Sequence, residues 1–389
     1  MKKFSRCLIA LSFYFVLNSS IFANRWTPEM MIQYQRLSST AISEDGKFIA
    51  YEISTPILES EKSEFHSQIW LLSTYDESRF QLTQGKTSSS QPKFSPDNKW
   101  LGFLSARGEK KTRQLFIISV SGGESIQITD VVSSVNRFDW SPDATKIAFT
   151  MADPETDDDK KRKKEKRDWK IVDEDYKYNH LYVVNIKDIE EPRQLTKGDM
   201  NVGSFDWSPD GAKIVYDHTE IPTANSSSTS DISIVGLASG SSRVIVDWGG
   251  FDASPKFSND GKRLAFVSDG DNPSWGREHY VYTASSSGVR KKKLQPTPSK
   301  YVNAIEGWSP DDSYIIVQEA NKTSRRYFYV PSSVGGSVSA ITIGPGNFSN
   351  LSYNQFGQMV FVHEQLNVPA NVFTTNMGEF KPQRLTNMN

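Results

Sequence analysis

One unit recurs seven times along this sequence of 389 residues, and that recurrence limits the fold more than any other feature. Its best copies place Ser-Pro-Asp-Gly between a segment that ends in an aromatic residue and a segment of alternating apolar residues. The first serine of successive copies recurs at a spacing of roughly 50 residues, and such a period is typical of propellers and solenoids. The seven equivalent positions are Ser43, Ser95, Ser141, Ser208, Ser258, Ser309 and, in a decayed copy, Asn354.

Each unit carries signals for four short antiparallel strands. Proline presets the first central φ of a tight turn, Asp suits the second position, and Gly46 or Asn98 tolerates the left-handed residue that follows. Apolar runs such as residues 115–118 indicate a third strand, and Gln-Leu-Thr segments such as residues 81–83 a fourth. Four antiparallel strands form a propeller blade. We therefore predict an all-β fold, a seven-bladed β-propeller over residues 37–389.

The phase of the repeat predicts how the ring closes. The first copy begins with its first strand and the last copy ends on its fourth, so each blade comes from one contiguous segment. No strand is left over to join the first blade to the last, so we expect noncovalent closure. The aromatic residues before the turns are expected to be wedges between blades. They are Phe94, Trp140, Trp207, Phe257 and Trp308.

The first 23 residues are typical of a secretory signal peptide. Lys2, Lys3 and Arg6 precede a ten-residue apolar run at residues 8–17, and a polar stretch then ends at Ala23. That run is too short to span a bilayer. We expect residues 24–36 to form an arm or a short helix, no membrane span in the mature chain, and a periplasmic or secreted protein. The single cysteine, Cys7, excludes a disulfide framework and a Cys-based zinc site.

The overall charge argues against a nucleic-acid partner. Lys and Arg number 45 against 46 Asp and Glu, which gives a net charge of -1. An overall basic field is therefore absent. The sequence predicts no cofactor and no metal, and it leaves the oligomeric state open.

The repeats resemble the WD-like propeller repeats of the prolyl oligopeptidase family of serine peptidases. The Ser-Pro-Asp-Gly turns and Gln-Leu-Thr strands carry this resemblance, which covers nearly all of the predicted mature chain but only the N-terminal half of the family. The charged insertion at residues 153–179, in blade three, is similar to an insertion of the acylaminoacyl-peptidase and dipeptidyl-peptidase branch. TolB-type propellers share the turns.

The resemblance implies a propeller that limits which substrates reach a catalytic α/β-hydrolase domain. In the family that domain follows the propeller, about where this sequence stops. No Gly-x-Ser-x-Gly occurs here, and the nearest motif, at residues 335–339, falls between two predicted strands. We therefore expect no catalysis by this chain alone. We expect the chain to act with a separate serine hydrolase or to be a truncated form of such a peptidase. An envelope protein is the other expected partner, and peptides are candidate ligands.

The histidines and one basic run suggest a binding face. All five histidines fall at blade ends opposite the Ser-Pro-Asp-Gly turns, and the basic run of the insertion belongs to the same side. This candidate face comprises His66, His180, His218, His279 and His363, together with Lys160, Lys161, Arg162, Lys163 and Lys164.

Two alternatives remain at this point. One is a TolB-like scaffold that binds periplasmic proteins across one face. The other is a propeller lyase with a His-based site, but third strands lie two strand spacings outward, about 10 Å. Histidines on blades three and five could then hardly share one ion at ligand distances of about 2 Å.

Overall fold

The computed structural model describes residues 27–59, 62–167, 169, 174–189, 191–270 and 278–388. The predicted signal peptide therefore lies outside the described residues. Within them, seven four-stranded antiparallel sheets form seven blades, each in sequential strand order. This confirms the predicted all-β propeller with contiguous blades.

The strands of each blade run from the ring axis outward. At four of the seven blade junctions the first strands of neighbouring blades contact one another, which places the first strands innermost. They are β1 (Arg36–Ile42), β5 (Ser89–Phe94), β9 (Val135–Trp140), β13 (Asn201–Trp207), β17 (Asp252–Phe257), β21 (Val302–Trp308) and β25 (Asn347–Tyr353). The second strands are β2 (Phe48–Glu59), β6 (Trp100–Ser105), β10 (Lys146–Ala152), β14 (Lys213–Thr219), β18 (Arg263–Ser268), β22 (Tyr314–Asn321) and β26 (Gln358–Gln365).

The outer half of each blade completes the sheet. The third strands are β3 (Lys62–Ser73), β7 (Gln114–Ser119), β11 (Asn179–Asn185), β15 (Asp231–Gly236), β19 (Tyr280–Ser285), β23 (Ser324–Pro331) and β27 (Val368–Asn376). The fourth strands are β4 (Arg79–Gln81), β8 (Ile126–Gln127), β12 (Arg193–Gln194), β16 (Ser242–Val246), β20 (Lys292–Lys293), β24 (Ser339–Ala340) and β28 (Glu379–Arg384). Outside the blades lie α1 (Pro28–Gln33), α2 (Asp157–Lys164) and a 3-10 helix (Ala224–Thr229).

This topology gives the ring two different faces. The Ser-Pro-Asp-Gly turns join first to second strands on one face, which we call the turn face. On the opposite face, the connection face, second strands pass to third strands and each blade passes to the next. The start of β1 and the end of β28 both lie on the connection face, because strands alternate in direction within a blade.

The repeated turn is held by its own serine and aspartate. In blade two, Ser95 Oγ donates to Asp97 Oδ1 over 2.6 Å and accepts from the Trp100 amide over 3.0 Å. The residue after the aspartate has a positive φ in blades one to six, and so does the glycine that follows Phe356 in blade seven, as the sequence predicts. These residues are Gly46, Asn98, Ala144, Gly211, Gly261, Asp312 and, in the shorter seventh turn, Gly357.

Blade three offers a direct test of this turn. Ala144 has a φ of 55°, in the left-handed region where a Cβ is strained. We expect Ala144→Gly to raise the free energy of unfolding by about 1 kcal/mol, because glycine adopts this conformation without that strain. Urea denaturation followed by far-UV circular dichroism measures the change. The matched control is Gly211→Ala. The added Cβ would meet no atom closer than 3.9 Å, so the change should lower the free energy of unfolding only through the strain of the φ of 67°.

The tryptophans at the ends of first strands join neighbouring blades. The indole nitrogen of Trp140 donates to the Lys93 carbonyl over 3.1 Å, and that of Trp308 donates to the Lys256 carbonyl over 3.1 Å. Trp207 donates in the same way to the Asp139 carbonyl over 3.4 Å. All three rings are buried. The predicted wedge role is therefore confirmed for the tryptophans.

Blades one and seven meet without sharing a strand. The Ile42 amide donates to Ser352 Oγ over 3.1 Å, and the Gln355 amide donates to Glu44 over 3.2 Å. An apolar cluster that includes Ile42 and Met388 packs across the same junction. The ring is thus closed by side-chain packing and hydrogen bonds, as predicted.

A buried carboxyl in β17 makes the stability of the fold dependent on pH. Asp252 is fully buried, its Oδ2 accepts from the Trp248 amide over 3.1 Å, and its Oδ1 has no hydrogen-bond partner among the described residues. Burial raises the pKa of Asp252 from 3.8 to about 6. Since ionised Asp252 is disfavoured in the folded chain, its contribution to stability falls as the pH rises from about 4 to about 6.

We therefore expect Asp252→Asn to stabilise the chain by about 2 to 3 kcal/mol at pH 7 and to have little effect at pH 4. Denaturation of both proteins across this pH range measures the difference. Asp210→Asn is the control and should lower the free energy of unfolding at pH 7, because the hydrogen bond from Ser208 lowers the pKa of Asp210. Its cost should appear at neutral pH and vanish in acid. A loss of stability in D252N at pH 7 would contradict the prediction.

Candidate functional site

Charged side chains from five blades surround the axis near the turn face. In blades two to five the residue two positions before the anchor serine is Lys93, Asp139, Asp206 and Lys256, respectively. Blade six contributes Glu306, where an irregularity in the pairing of β21 shifts the register. We call these five residues the channel belt.

Ion pairs join belt residues of neighbouring blades. Lys93 Nζ lies 3.0 Å from Asp139 Oδ2, and Lys256 Nζ lies 2.9 Å from Asp206 Oδ1. The exposed fractions of these four side chains lie between 19% and 39%, so solvent reaches them although they belong to the innermost strands. The belt therefore lines a water-accessible central channel.

The pKa shifts show that the belt charges act on one another around the axis. Burial opposes ionisation of Asp139, but Lys93 and Lys256 outweigh it and lower the pKa of Asp139. Burial likewise disfavours the Lys256 ammonium, but Asp206 and Asp139 outweigh it and raise the pKa of Lys256. Asp139 and Lys256 belong to blades three and five, so this attraction reaches past blade four.

Two belt carboxyls hold their protons more strongly than usual. Burial raises the pKa of Asp206, even though Lys256 stabilises its charge. Burial also raises the pKa of Glu306. Among the described residues, the Glu306 carboxylate forms no hydrogen bond or ion pair. With every group ionised, the belt holds three negative and two positive charges.

This arrangement can attract or repel charged groups at the channel mouth. When all five groups are ionised, the one surplus negative charge favours cations. As the pH falls, Asp206 and Glu306 take up protons earlier than ordinary carboxyls, and the net charge of the belt becomes positive. The belt is thus suited to electrostatic selection. It offers no nucleophile beside a general base.

The sequence interpretation did not identify this belt. Its signal was present in the column two positions before each anchor, where charges of both signs occupy four consecutive blades. Such residues alternate with wedge aromatics and look like ordinary strand residues. Only the closed ring shows that the column surrounds an axis.

The structure places two of the five histidines in the interior of their own blades. His180 is 3% exposed, its Nδ1 lies 3.3 Å from Thr196 Oγ1, and its Nε2 lies 3.6 Å from Asp153 Oδ1. His218 Nε2 lies 2.8 Å from Ser233 Oγ. Burial lowers the pKa of both imidazoles. These contacts hold strands together within blades three and four.

The remaining histidines stack on aromatic rings or line a shallow cavity. His279 lies between Phe251 and Tyr301, with ring centroids 4.6 and 4.5 Å away. His363 stacks on Phe348 at 4.3 Å, and its Nε2 lies 2.9 Å from the Pro345 carbonyl oxygen. His66 lies 3.0 Å from the Gln68 amide nitrogen and lines a cavity of about 460 Å³ in blade one.

The histidines therefore sit in separate blades, and the structure does not bring them together into one cluster. Over the parts of the chain that the structure describes, no group of three or more His, Cys, Asp or Glu residues could hold a metal ion.

The basic run of the insertion forms a helix. Residues 157–164 make up α2, whose N-terminus is capped by Thr156 and Asp159. Acidic neighbours partner much of the run: Lys160 pairs with Asp157 at 3.1 Å, and Arg162 pairs with Asp175 at 2.8 Å. Lys163 pairs with Glu155. Lys161 and Lys164 form no ion pair with the described residues.

No helix within the described ranges has the length and apolar character needed to cross a membrane.

Comparison with known proteins supports the family resemblance. Dipeptidyl-peptidase 5 of Porphyromonas gingivalis is 25% identical over 394 residues, which cover 92% of this chain and 55% of that protein. The chain therefore spans about half the length of this curated relative. No family model matches the sequence.

Solved structures share the fold. An acylaminoacyl peptidase of Pyrococcus horikoshii superposes with a TM-score of 0.72 at 16% identity, over 94% of this chain and 54% of that one. The β-propeller domain of the trilobed protease of Pyrococcus furiosus, described as having an open velcro topology, gives a TM-score of 0.66 at 16% identity. That alignment covers 92% of this chain and 97% of the domain. The chain is thus a seven-bladed propeller that is similar in sequence to about half of dipeptidyl-peptidase 5 and shares its fold with the propellers of these two archaeal peptidases.

Proposed function

We propose that this chain is the exported, noncatalytic propeller of a serine peptidase of the prolyl oligopeptidase type. It admits peptides to a hydrolase unit through its central channel, and the channel belt selects them by charge. The observation that carries this proposal is the belt itself, with its surplus carboxylate Glu306. Four of its side chains are 19% to 39% exposed, so a peptide in the channel would be able to contact them.

The two faces of the ring are consistent with a hydrolase at one face and peptide entry at the other. Both termini of the propeller lie on the connection face, so a hydrolase joined to either end would lie against that face. The belt lies near the opposite, turn face. A peptide that enters from the turn face would meet the belt before it reached the hydrolase. Lys161 and Lys164 belong to the insertion on the connection face, where we propose that they contact the hydrolase.

Labelling of a native extract with a serine-directed fluorophosphonate tests the peptidase role. The chain is then recovered with an antibody against its propeller. If a second, labelled protein coprecipitates with the chain, the result supports a separately encoded hydrolase. A labelled protein that carries the epitope and exceeds 43.9 kDa supports a hydrolase on the same polypeptide. Recovery of the chain without any label would overturn the proposal and leave a binding scaffold.

Charge selection is tested in the recovered assembly by hydrolysis of matched cationic and anionic peptides. Glu306→Gln should reduce the preference for cationic peptides about fivefold, since one charge at about 8 Å in a partly aqueous channel contributes on the order of 1 kcal/mol. Glu124→Gln, at an exposed loop position, is the matched control and should leave the preference unchanged. Equal preferences in the wild type and in E306Q would contradict the filter.

A further inference from the structure

A cleft lies between blades six and seven. It encloses about 610 Å³, within the usual size range of ligand sites. Its lining is largely aromatic and apolar, and no Lys, Arg or His contributes to it. The apolar lining includes Tyr314, Tyr329, Ile343, Phe356, Met359 and Met377.

At the preceding junction, between blades five and six, an arginine fills the equivalent space. In blade five, Arg263 reaches across to blade six, where it donates to the Asp312 carbonyl over 3.0 Å and to Ser332 Oγ over 3.1 Å. Its guanidinium also lies 4.6 Å from the Trp308 ring centroid. Arg263 therefore closes the junction between blades five and six.

Blade six has a different residue at the position of Arg263. Tyr314 occupies it, five residues after the anchor serine, and its ring packs against Tyr329 of the same blade at 5.5 Å. Met377 takes the place of Ser332, since both amides bond back to the turn of their own blade. The closing arginine and its polar acceptor are both absent at this junction, and the cleft stays open.

The turn of blade seven adds an exposed aromatic ring to the cleft. Phe356 stands where the other six turns carry aspartate, and it is 74% exposed. Ile343 on the facing blade is 64% exposed. Two large apolar side chains at the rim of one cleft, beside two methionines, form a surface suited to an apolar group from outside.

The shape and charge of the cleft define its occupant. It extends from the first turn of blade six, at Asp311, to the fourth strands at Ser339 and Glu379. Three strand spacings span about 14 Å, the length of about four extended residues. The hydrogen bond from Ser309 lowers the pKa of Asp311 and keeps this end of the cleft anionic. Glu379, at the outer end, pairs with Lys381.

We propose that this cleft binds an extended polypeptide segment in which an aromatic side chain stands next to a Lys or Arg. The aromatic ring packs against Phe356, Met359 and Met377, and the cation lies toward Asp311. This site differs from the channel belt, and it would serve a partner or a substrate segment outside the channel.

Fluorescence anisotropy of the full chain with short fluorescein-labelled peptides tests the proposal. A peptide with a central Phe-Arg pair should bind at least tenfold more tightly than matched peptides with Ala-Arg or Phe-Glu. Phe356→Asp introduces the residue that the other six turns carry. Tyr314→Arg introduces the residue that blade five has at this position, Arg263. Each should weaken binding of the Phe-Arg peptide about tenfold or more.

Phe80→Asp makes the same change at an exposed phenylalanine of β4 and should leave binding unchanged. Far-UV circular dichroism confirms that each variant is folded. Equal binding of the three peptides, or wild-type binding by F356D and Y314R, would overturn the proposal. Sedimentation velocity that shows a dimer lost in F356D would assign the cleft to a second copy of the chain and also overturn it. None of these readouts depends on hydrolysis, so failure here is distinct from failure of the peptidase role.

Discussion

Replacement of Trp308 by alanine is expected to lower the free energy of unfolding by about 4 kcal/mol. The ring is 3% exposed and packs in the core between blades five and six. Its removal leaves a cavity and eliminates the hydrogen bond that the indole nitrogen donates to the Lys256 carbonyl. It also removes the ring surface over which the Arg263 guanidinium lies. Urea denaturation followed by far-UV circular dichroism measures the loss, because this signal does not depend on the tryptophan itself.

Trp169→Ala is the matched control. Trp169 lies in the blade-three insertion and is 55% exposed, so its removal should change stability by less than about 0.5 kcal/mol. Similar losses in W308A and W169A would contradict the wedge role. The same comparison with Trp140→Ala would show whether wedges contribute equally around the ring.

Replacement of Lys256 by methionine is expected to cost about 2 kcal/mol at pH 7. The change keeps the aliphatic stem but leaves Asp206 and Asp139 without the ammonium between them. Breaking a buried pair costs about 3 to 5 kcal/mol, and the partial exposure of Lys256 and Asp206, 24% and 19%, reduces that cost. Denaturation midpoints of the wild type and K256M measure it.

The pH dependence separates charge from packing in this variant. Without Lys256 the pKa of Asp206 should rise further above its unfolded value, so the loss of stability is present at neutral pH and fades as Asp206 is protonated in acid. Lys47→Met is the matched control, because its ion pair with Asp45 is largely exposed and should contribute little. A cost in K256M that is independent of pH would show that packing, not charge, is lost.

A second substitution isolates the pair itself. Asp206→Asn in the K256M background should recover part of the lost stability, because it removes the carboxylate that the first change left unpaired. The double-mutant cycle gives the coupling between the two residues. A coupling near zero would indicate that the contact at 2.9 Å is not energetically important.

Much of the fold was predictable because it is encoded locally. The tight turn needs only the serine, the aspartate and a residue that accepts a positive φ, all within four positions of one another. Ser95 and Asp97 show this in the structure, and Asn98 follows with a φ of 59°. The wedge tryptophans were predictable for a related reason, since each acts on the blade next to it.

The histidines show where local pattern stops being informative. Their common side of the ring suggested a binding face, but His180 bonds to the Thr196 hydroxyl and His279 lies between two aromatic rings. A position at a blade end does not reveal whether a side chain points to solvent or packs within its own blade. Packing decides that, and packing depends on residues far away in the sequence.

The sequence by itself determined the number of blades, their strand order, the turn conformation and the absence of a shared closing strand. Each of these features depends on residues within one repeat unit or on the phase of the repeat. Only the tertiary structure decided which units face one another. The charges of Asp139 in blade three and Lys256 in blade five attract one another, although the two residues are 117 positions apart in the sequence. The cleft lies between Tyr314 of blade six and Phe356 of blade seven, and Phe356 replaces the aspartate of the other six turns. Ring closure brings such positions together, and the sequence of a single unit does not predict these contacts.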